Sequence, residues 1–332
     1  MKVLVWHVHG GYTDALVRGD HDYLLPVDDA RDAWGLGADG RDWPRTTEID
    51  HADLRDAEID VVVLQRPEEI ELAERLTGRR PGHDLPAVYL EHNAPHPHPT
   101  ASVHPLADQT RIPIVHVTHF NDVFWDNGRA RTLVIEHGLP DPGELYTGDI
   151  PAIGVVINEP VRRWRTTGTD LLPDFGRLAR VDVFGIDGDR LADRLGPDSG
   201  VAWAGNLDPA GLRRELARRR LYLHPFRWTS LGLSLIEAML MGMPVVALAA
   251  TEALHAVPPG LGAVSTNVNA LKHAAIGYLV DEDHAREAGR RIRRHALRRF
   301  SHATFLSRWD AALGEVTADQ PRTRAGVAFP VS

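Results

Sequence analysis

Short runs of Val, Ile and Leu recur along this chain, separated by helix-patterned or polar stretches. In the first half, VLVWHV (3–8), DYLLPV (22–27), DVVVLQ (60–65), LPAVYLEH (85–92), IPIVHVTH (112–119) and TLVIEHG (132–138) read as strands. Their apolarity is close to continuous, as strands covered on both faces require. PEEIELAERLTG (67–78) reads as a helix, with Pro at its start, acids in its first turn and Gly at its end. The second half repeats the pattern. AIGVVIN (152–158), VDVFG (181–185), VAWAG (201–205), LYLHP (221–225) and PVVAL (244–248) are predicted strands. DPAGLRRELARRR (208–220) is a predicted helix with an Asp cap and Glu215 spaced to pair with Arg219. Two runs of alternating strands and helices predict an α/β protein of two doubly wound domains facing across a cleft. The Gly- and Pro-rich segment 138–151 is the expected joint, and DQPRTRAGVAFPVS (319–332) reads as a tail.

Composition narrows the chemistry. The 332 residues are enough for two domains of ordinary size. No run of about 18 apolar residues suggests a membrane span, and MKVLVWHVHG lacks the features of a signal peptide. The absence of cysteine excludes disulfides, thiolate nucleophiles and Cys-based metal sites, and fits a cytoplasmic location. A net charge of −9 argues against broad nucleic-acid binding. Lysine occurs only at Lys2 and Lys272, and there is no GxxxxGK[ST] stretch. A phosphate site must therefore use arginine forks and backbone N–H groups.

Ligands should sit where the carboxyl ends of the strands open, which points to four loops. The first, HVHGGYTDALVRG (7–19), places Gly10 and Gly11 between a strand and a helix, either as a tight turn or as a close approach to an anion. His7 and His9 alternate on one face of the predicted strand, and an HxH pair at a strand end can bind metal. A packed or phosphate-side imidazole is the favoured reading. The second loop, LEHNAPHPHPT (90–100), puts His92 at the cleft as a hydrogen-bonding partner of a ligand. His96, His98 and His104 follow in a Pro-rich piece whose side chains should diverge. The third, NEPVRRWRTTGTD (158–170), carries Arg162, Arg163 and Arg165 directly after a strand, either as a solvated charge run or as forks for a pyrophosphate. The fourth, TSLGLSL (229–235), leads into a helix whose free amides should face the cleft. Glu237 lies about one turn into that helix, on no obviously polar face, and can accept two hydrogen bonds from a vicinal diol such as a ribose.

The stretch HPFRWTSLGLSLIEAMLMGMPVVA (224–247) resembles the carboxy-terminal signature of retaining GT-B glycosyltransferases of the family 4, or group 1, type. Pro225, Gly232, Glu237, Ala238, Met239, Gly242, Pro244, Val245 and Val246 carry the likeness. TEAL (251–254), the helical run 277–309 with its RFS turn, and VIEHGLPD (134–141) extend it. The resemblance implies two Rossmann-like domains, 1–143 for the acceptor and 144–302 for the donor, a terminal helix (303–320) crossing back to the first domain, and a tail (321–332).

Residue by residue, the resemblance assigns Glu237 to the nucleotide ribose and Leu231, Gly232 and Leu233 to the donor diphosphate. It assigns His92 to the donor sugar and Gly10 and Gly11 to the neighbourhood of the pyrophosphate. The family's basic pair is Arg then Lys. Here Thr167 precedes Gly168, and Arg162, Arg163 and Arg165 stand in for the pair. Thr229 replaces the first Glu of the Glu-x7-Glu motif, which contacts the donor sugar; a hydroxyl can hydrogen-bond there but cannot carry charge.

The implied activity is a hexosyltransferase-like transfer from a nucleotide-diphosphate sugar to an acceptor hydroxyl, with retention and with neither cofactor nor metal. His92 and Arg163 are the expected catalytic residues. The acceptor is a glycan, a lipid or a small molecule. Two alternatives stand beside this: a catalytically altered GT-B-like protein that binds a sugar nucleotide or glycan, motivated by Thr229, and a His-metal hydrolase, motivated by the HxH pairs. The helix REAGRRIRRHALRRF (287–300) suits packing on its domain better than peripheral contact with a membrane or partner.

Overall fold

A computed structural model describes residues 1–318, so the proposed tail lies outside the described residues. The first domain is built on β1 (Lys2–Val5), β2 (Asp22–Val27), β3 (Thr46–Asp50), β4 (Val61–Leu64), β5 (Ala87–Glu91), β6 (Ile114–His116) and β7 (Thr132–Val134). They form one parallel sheet in the order β3-β2-β1-β4-β5-β6-β7. Helices α1 (Gly10–Leu16), α2 (Glu68–Thr77) and α3 (His119–Phe124) connect them. The second domain uses β8 (Ile150–Val156), β9 (Val181–Phe184), β10 (Val201–Gly205), β11 (Arg219–His224), β12 (Val245–Leu248) and β13 (Ala263–Ser265). Its sheet is also parallel, in the order β10-β9-β8-β11-β12-β13. Its helices are α4 (Leu172–Gly176), α5 (Leu191–Leu195), α6 (Pro209–Leu216), α7 (Leu233–Met241), α8 (Ala253–Ala256), α9 (Val268–Val280) and α10 (Glu282–Arg299).

The strands that read as continuously apolar are buried on both faces: every residue of β4, β5, β9, β11 and β12 is buried. Most are shorter than the apolar runs that announce them. β1 stops at Val5, so His7 and His9 lie in the following loop and not on a strand face. Helix ends follow local chemistry. Gly78 closes α2 in the left-handed conformation at φ 69°. Asp208 caps α6 by accepting from the Ala210 and Gly211 amides, and Glu215 meets Arg219 at 3.0 Å. No described helix is long and apolar enough to cross a membrane.

α10, which contains the basic run 287–299, is seated on its domain. Ala285, Gly289, Ile292 and Ala296 are buried. A methyl group on Gly289 would lie 1.9 Å from the Gly242 carbonyl oxygen, so the two backbones touch. The final helix, α11 (His302–Ala318), lies against the first domain. Trp309 Nε1 donates to the Tyr12 hydroxyl at 3.0 Å, and His302 Nε2 meets the Ala15 carbonyl at 2.8 Å. The chain thus crosses between domains twice, at the joint after β7 and before α11. The crossings lie side by side, with the Leu139 amide donating to the Phe300 carbonyl at 3.3 Å. One apolar core runs from the first sheet through α11 and into α7, while separate cores back each sheet's other face.

Candidate functional site

Each sheet reverses its winding beside its first strand, between β1 and β4 and between β8 and β11. In open α/β sheets ligands bind outside the carboxyl ends of the strands at such points. Here the loops after β1, β8 and β11 open into one shared cleft of about 710 Å³.

The second domain supplies charge and dipoles. The loop after β11 is anchored from below by Gly168, whose φ of +73° sets it against Pro225; a Cβ there would lie 2.0 Å from the Pro225 carbonyl oxygen. Arg227 ties the same loop to Asp170 at 2.5 Å. The loop ends at Gly232, the N-cap of α7, which has no side chain to satisfy the first amides. Gly232, Leu233 and Ser234 line the cleft, so those amides and the positive end of the helix dipole face it. Close packing of His224 beneath Gly232 leaves no room for a side chain: a Cβ would lie 2.9 Å from its Cε1. Burial lowers the His224 pKa to about 3, so the ring is neutral.

Glu237 reaches the same cleft. Its Oε1 accepts from Arg213 Nη2 at 2.8 Å and Nε at 3.1 Å, while Oε2 has no partner among the described residues. Arg163 is half-buried in the cleft wall, and its guanidinium has no partner among the described residues. Burial first, and then the charge of Arg162, lower its pKa from the ordinary arginine value. Thr229 lines the wall, and its hydroxyl has no partner among the described residues.

Other predicted donor residues fall outside. Arg162 is exposed and paired with Glu159, and Arg165 is exposed and held by Asp170 at 3.0 Å. These two arginines are the solvated charge run that the sequence left open, because acids sit three residues before one and five after the other. Leu231 is buried in the core and contributes no surface to the cleft.

The first domain supplies glycines and imidazoles. Gly10 and Gly11 both line the cleft, and a Cβ on Gly11 would lie 3.2 Å from Leu233 Cδ1, so the two domains meet at this loop. His92 stands outside the lining, in edge contact with His9 at 4.5 Å and Tyr12 at 4.7 Å. Its Nε2 donates to Gln65 Oε1 at 2.9 Å, and its carbonyl accepts from Ser230 Oγ across the domain boundary, also at 2.9 Å. Burial, and then His9 and His137, hold its pKa well below the usual histidine value. The pKa of His137, at the joint, is lowered to about 4 by burial, and neither ring nitrogen has a hydrogen-bond partner among the described residues.

Among the described residues, the histidines suggestive of metal share no grouping of three ligand atoms. His7 has one ring nitrogen on the Gly37 carbonyl at 2.9 Å and the other on Arg41 at 2.5 Å. His104 Nε2 lies 3.2 Å from Glu91 Oε2. Among the described residues, the one grouping with ligand spacing is Glu136, Glu252 and His255. Arg299 already pairs with Glu136, and Glu252 accepts the Phe120 amide at 3.0 Å.

Several cleft residues escaped the sequence reading: Arg41, Asp14, Trp43, Arg213 and the loop ends Gly185 and Asn206. Arg213 was legible in principle, because it sits on a recognisable helix two turns before the predicted strand. Arg41 lies in a polar stretch with no periodicity, and only folding brings it to the glycine loop.

Residues 175–294 match the family model described as Glycosyl transferases group 1. No curated protein matches the chain in sequence. Among solved structures, sucrose-phosphate synthase from Thermosynechococcus elongatus is similar at 14% identity and a TM-score of 0.70, covering 96% of this chain and 100% of that one. HepE from Anabaena, in complex with UDP, is similar at 17% identity and a TM-score of 0.67, covering 95% and 100%. TarM from S. aureus (a point mutant in complex with Fondaparinux, alpha-GlcNAc-glycerol and UDP) aligns at 15% identity and a TM-score of 0.59 over 76% of this chain. This chain spans only 55% of that protein's length. The shared architecture is GT-B: two Rossmann-like α/β domains facing across a cleft.

Proposed function

We propose that this protein is a glycosyltransferase that moves a sugar from a nucleoside-diphosphate donor to an acceptor hydroxyl, with retention and without a metal. The observation that carries the reading is a single cleft combining Glu237 Oε2, the uncapped amides of α7 and the unpaired guanidinium of Arg163. A carboxylate with one free oxygen suits a ribose diol. Helix amides and an uncompensated cation suit a diphosphate, and they stabilise the charge that develops as it leaves. With those groups carrying the leaving charge, no metal is required. The match to group 1 glycosyltransferases supports the reaction class, and the resemblance of 224–247 supports retention. UDP in the HepE and TarM structures favours a uridine donor. His92 serves by orienting, as a neutral imidazole behind the cleft wall.

Thr229 favours a second reading, a protein that binds a sugar nucleotide without transferring the sugar. One experiment addresses both. Thermal shifts with UDP, GDP, ADP and dTDP should show one clear stabilisation, because a ligand at a hundred times its Kd adds about 2.7 kcal/mol. Glu237→Ala should abolish the shift at the same concentration. If no diphosphate stabilises the wild-type protein, both readings fail. Release of the diphosphate from the matching sugar nucleotide decides for transfer, and the anomeric configuration of the product, read by NMR with and without chelator, tests retention and metal independence.

A further inference from the structure

The cleft lining contains four arginines, and two of them are already committed. Arg18 pairs with Asp14 at 3.0 Å and Arg213 with Glu237 at 2.8 Å. Arg163 and Arg41 remain, one from each domain, and neither has a carboxylate within ion-pair distance among the described residues. Arg41 is nevertheless held firmly. The Gly37 carbonyl takes the proton on His7 Nδ1 at 2.9 Å, which leaves the Nε2 lone pair to accept from Arg41 Nη1 at 2.5 Å. The Trp43 ring lies 5.2 Å from the guanidinium carbon on another side. The held guanidinium lies against Gly10: a Cβ there would be 2.4 Å from Nη1 and 2.8 Å from the guanidinium carbon. The acids nearby do not cancel its charge. Asp14 is taken by Arg18 and by Trp43 Nε1 at 2.8 Å, and Asp42 is exposed at the rim.

A diphosphate seated on the α7 amides carries about two negative charges. The second domain offers it one uncompensated guanidinium, Arg163, because Thr167 is buried against Thr169 and Arg162 and Arg165 are paired outside. Gly11 brings the amino-terminal loop to within van der Waals distance of Leu233, the first residue of α7. We propose that Arg41, delivered by the first domain, is the second cation on the distal phosphate of the bound nucleoside diphosphate. His7 is its positioning residue, neutral and acting only through Arg41. This rests on the donor reading above and extends it: the charge that stabilises the leaving group is split between two domains, so the site is complete only when they are together.

The test compares each diphosphate with its own monophosphate, because only the former has a distal phosphate. Calorimetric titrations with UDP and UMP, GDP and GMP, ADP and AMP, and dTDP and dTMP would be run on the full chain and on Arg41→Ala, Arg41→Lys and His7→Gln. Arg41→Ala should weaken the preferred diphosphate about tenfold or more and leave its monophosphate within about twofold, the size of a lost charge-assisted contact. Arg41→Lys should recover part of the loss, since it keeps the charge but not the fork. His7→Gln, which retains an acceptor for Arg41, should fall between wild type and Arg41→Ala in diphosphate affinity alone. Unfolding temperatures within about two degrees of wild type would show that the fold tolerates the changes. Equal loss for diphosphate and monophosphate, or unchanged diphosphate affinity in Arg41→Ala, would overturn the inference while leaving the donor reading intact. A wild-type protein that binds neither nucleotide of any pair would remove the donor reading, and this inference with it.

Discussion

The two faces of the cleft share one topology and differ in chemistry. Each is built from loops at the carboxyl ends of a parallel sheet wound 3-2-1-4-5-6, to which the first domain adds a seventh strand at its edge. On the second domain those loops present Arg163, Glu237 and the open end of α7. On the first domain the loop after β1 presents two glycines, and behind the cleft wall stands a bank of neutral imidazoles, His7, His92 and His137, all with lowered pKa. The fold dictates where a ligand can sit, but not what holds it. One face is built to grip an anion; the other is built to let it come close, with Arg41 as the one cation it adds to the lining that has no carboxylate partner among the described residues.

The contrast breaks most directly at Arg163. Arg163→Ala should weaken the bound nucleoside diphosphate about 100-fold, the loss expected when a charge-assisted contact in a partly desolvated site is removed. Titration calorimetry measures it, and a change under threefold would mean that the second domain is not the anion-gripping face. Acid is the next lever. His224 behind the donor loop and His137 at the joint are neutral in the fold and take up protons more readily once unfolded. Their contribution to stability is therefore intact above about pH 6.5 and is lost as pH falls toward their folded values, on the order of 1 kcal/mol per pH unit for each. Urea unfolding between pH 7.5 and 5 should show that decline in both domains, and a flat profile would contradict the buried, neutral assignment.

A smaller effect should come from the boundary itself. Trp228 Nε1 donates to the Pro95 carbonyl at 2.9 Å, and its ring meets Phe120 edge-on at 5.3 Å. Trp228→Phe keeps the ring contact and removes one hydrogen bond, about 1 kcal/mol. The domains should then close about fivefold less readily, which appears as a larger radius in solution scattering and a higher KM for donor. The smallest effect sharpens the contrast from the imidazole side. His92→Gln should change nucleotide affinity by less than about twofold, since His92 stands outside the cleft lining. A loss comparable to that of Arg163→Ala would erase the distinction between the faces.

What the amino-acid pattern revealed follows from how locally each feature is encoded. Strands covered on both faces are nearly pure Val, Ile and Leu, so most of them announce themselves in the central residues of the predicted runs, as does the VAWAG run that becomes β10. β3, TTEID at the sheet edge, is largely polar and has no such signature. The runs overshoot because the residue after a buried strand is often buried too while already bending into a loop, as Trp6 and His7 do after β1. In the site, Gly232 and Glu237 were legible because a helix start fixes their spacing. Arg162, Arg163 and Arg165 were not separable, since which of three neighbouring cations finds an acid depends on how the loop folds. Arg41 was out of reach for the same reason at longer range: its partner, His7, is 34 residues away.

The paired crossings near Leu139 and Phe300 restrict how the lobes can move. A single tether would let them swing in any direction and drift apart. Two strands of backbone bonded to each other at one place can act as an axle. α11 is pinned to the first lobe by Trp309 and His302, which fixes the first-lobe side of that axle. An opening turn about it would carry Arg41 and Arg163 apart along a set arc.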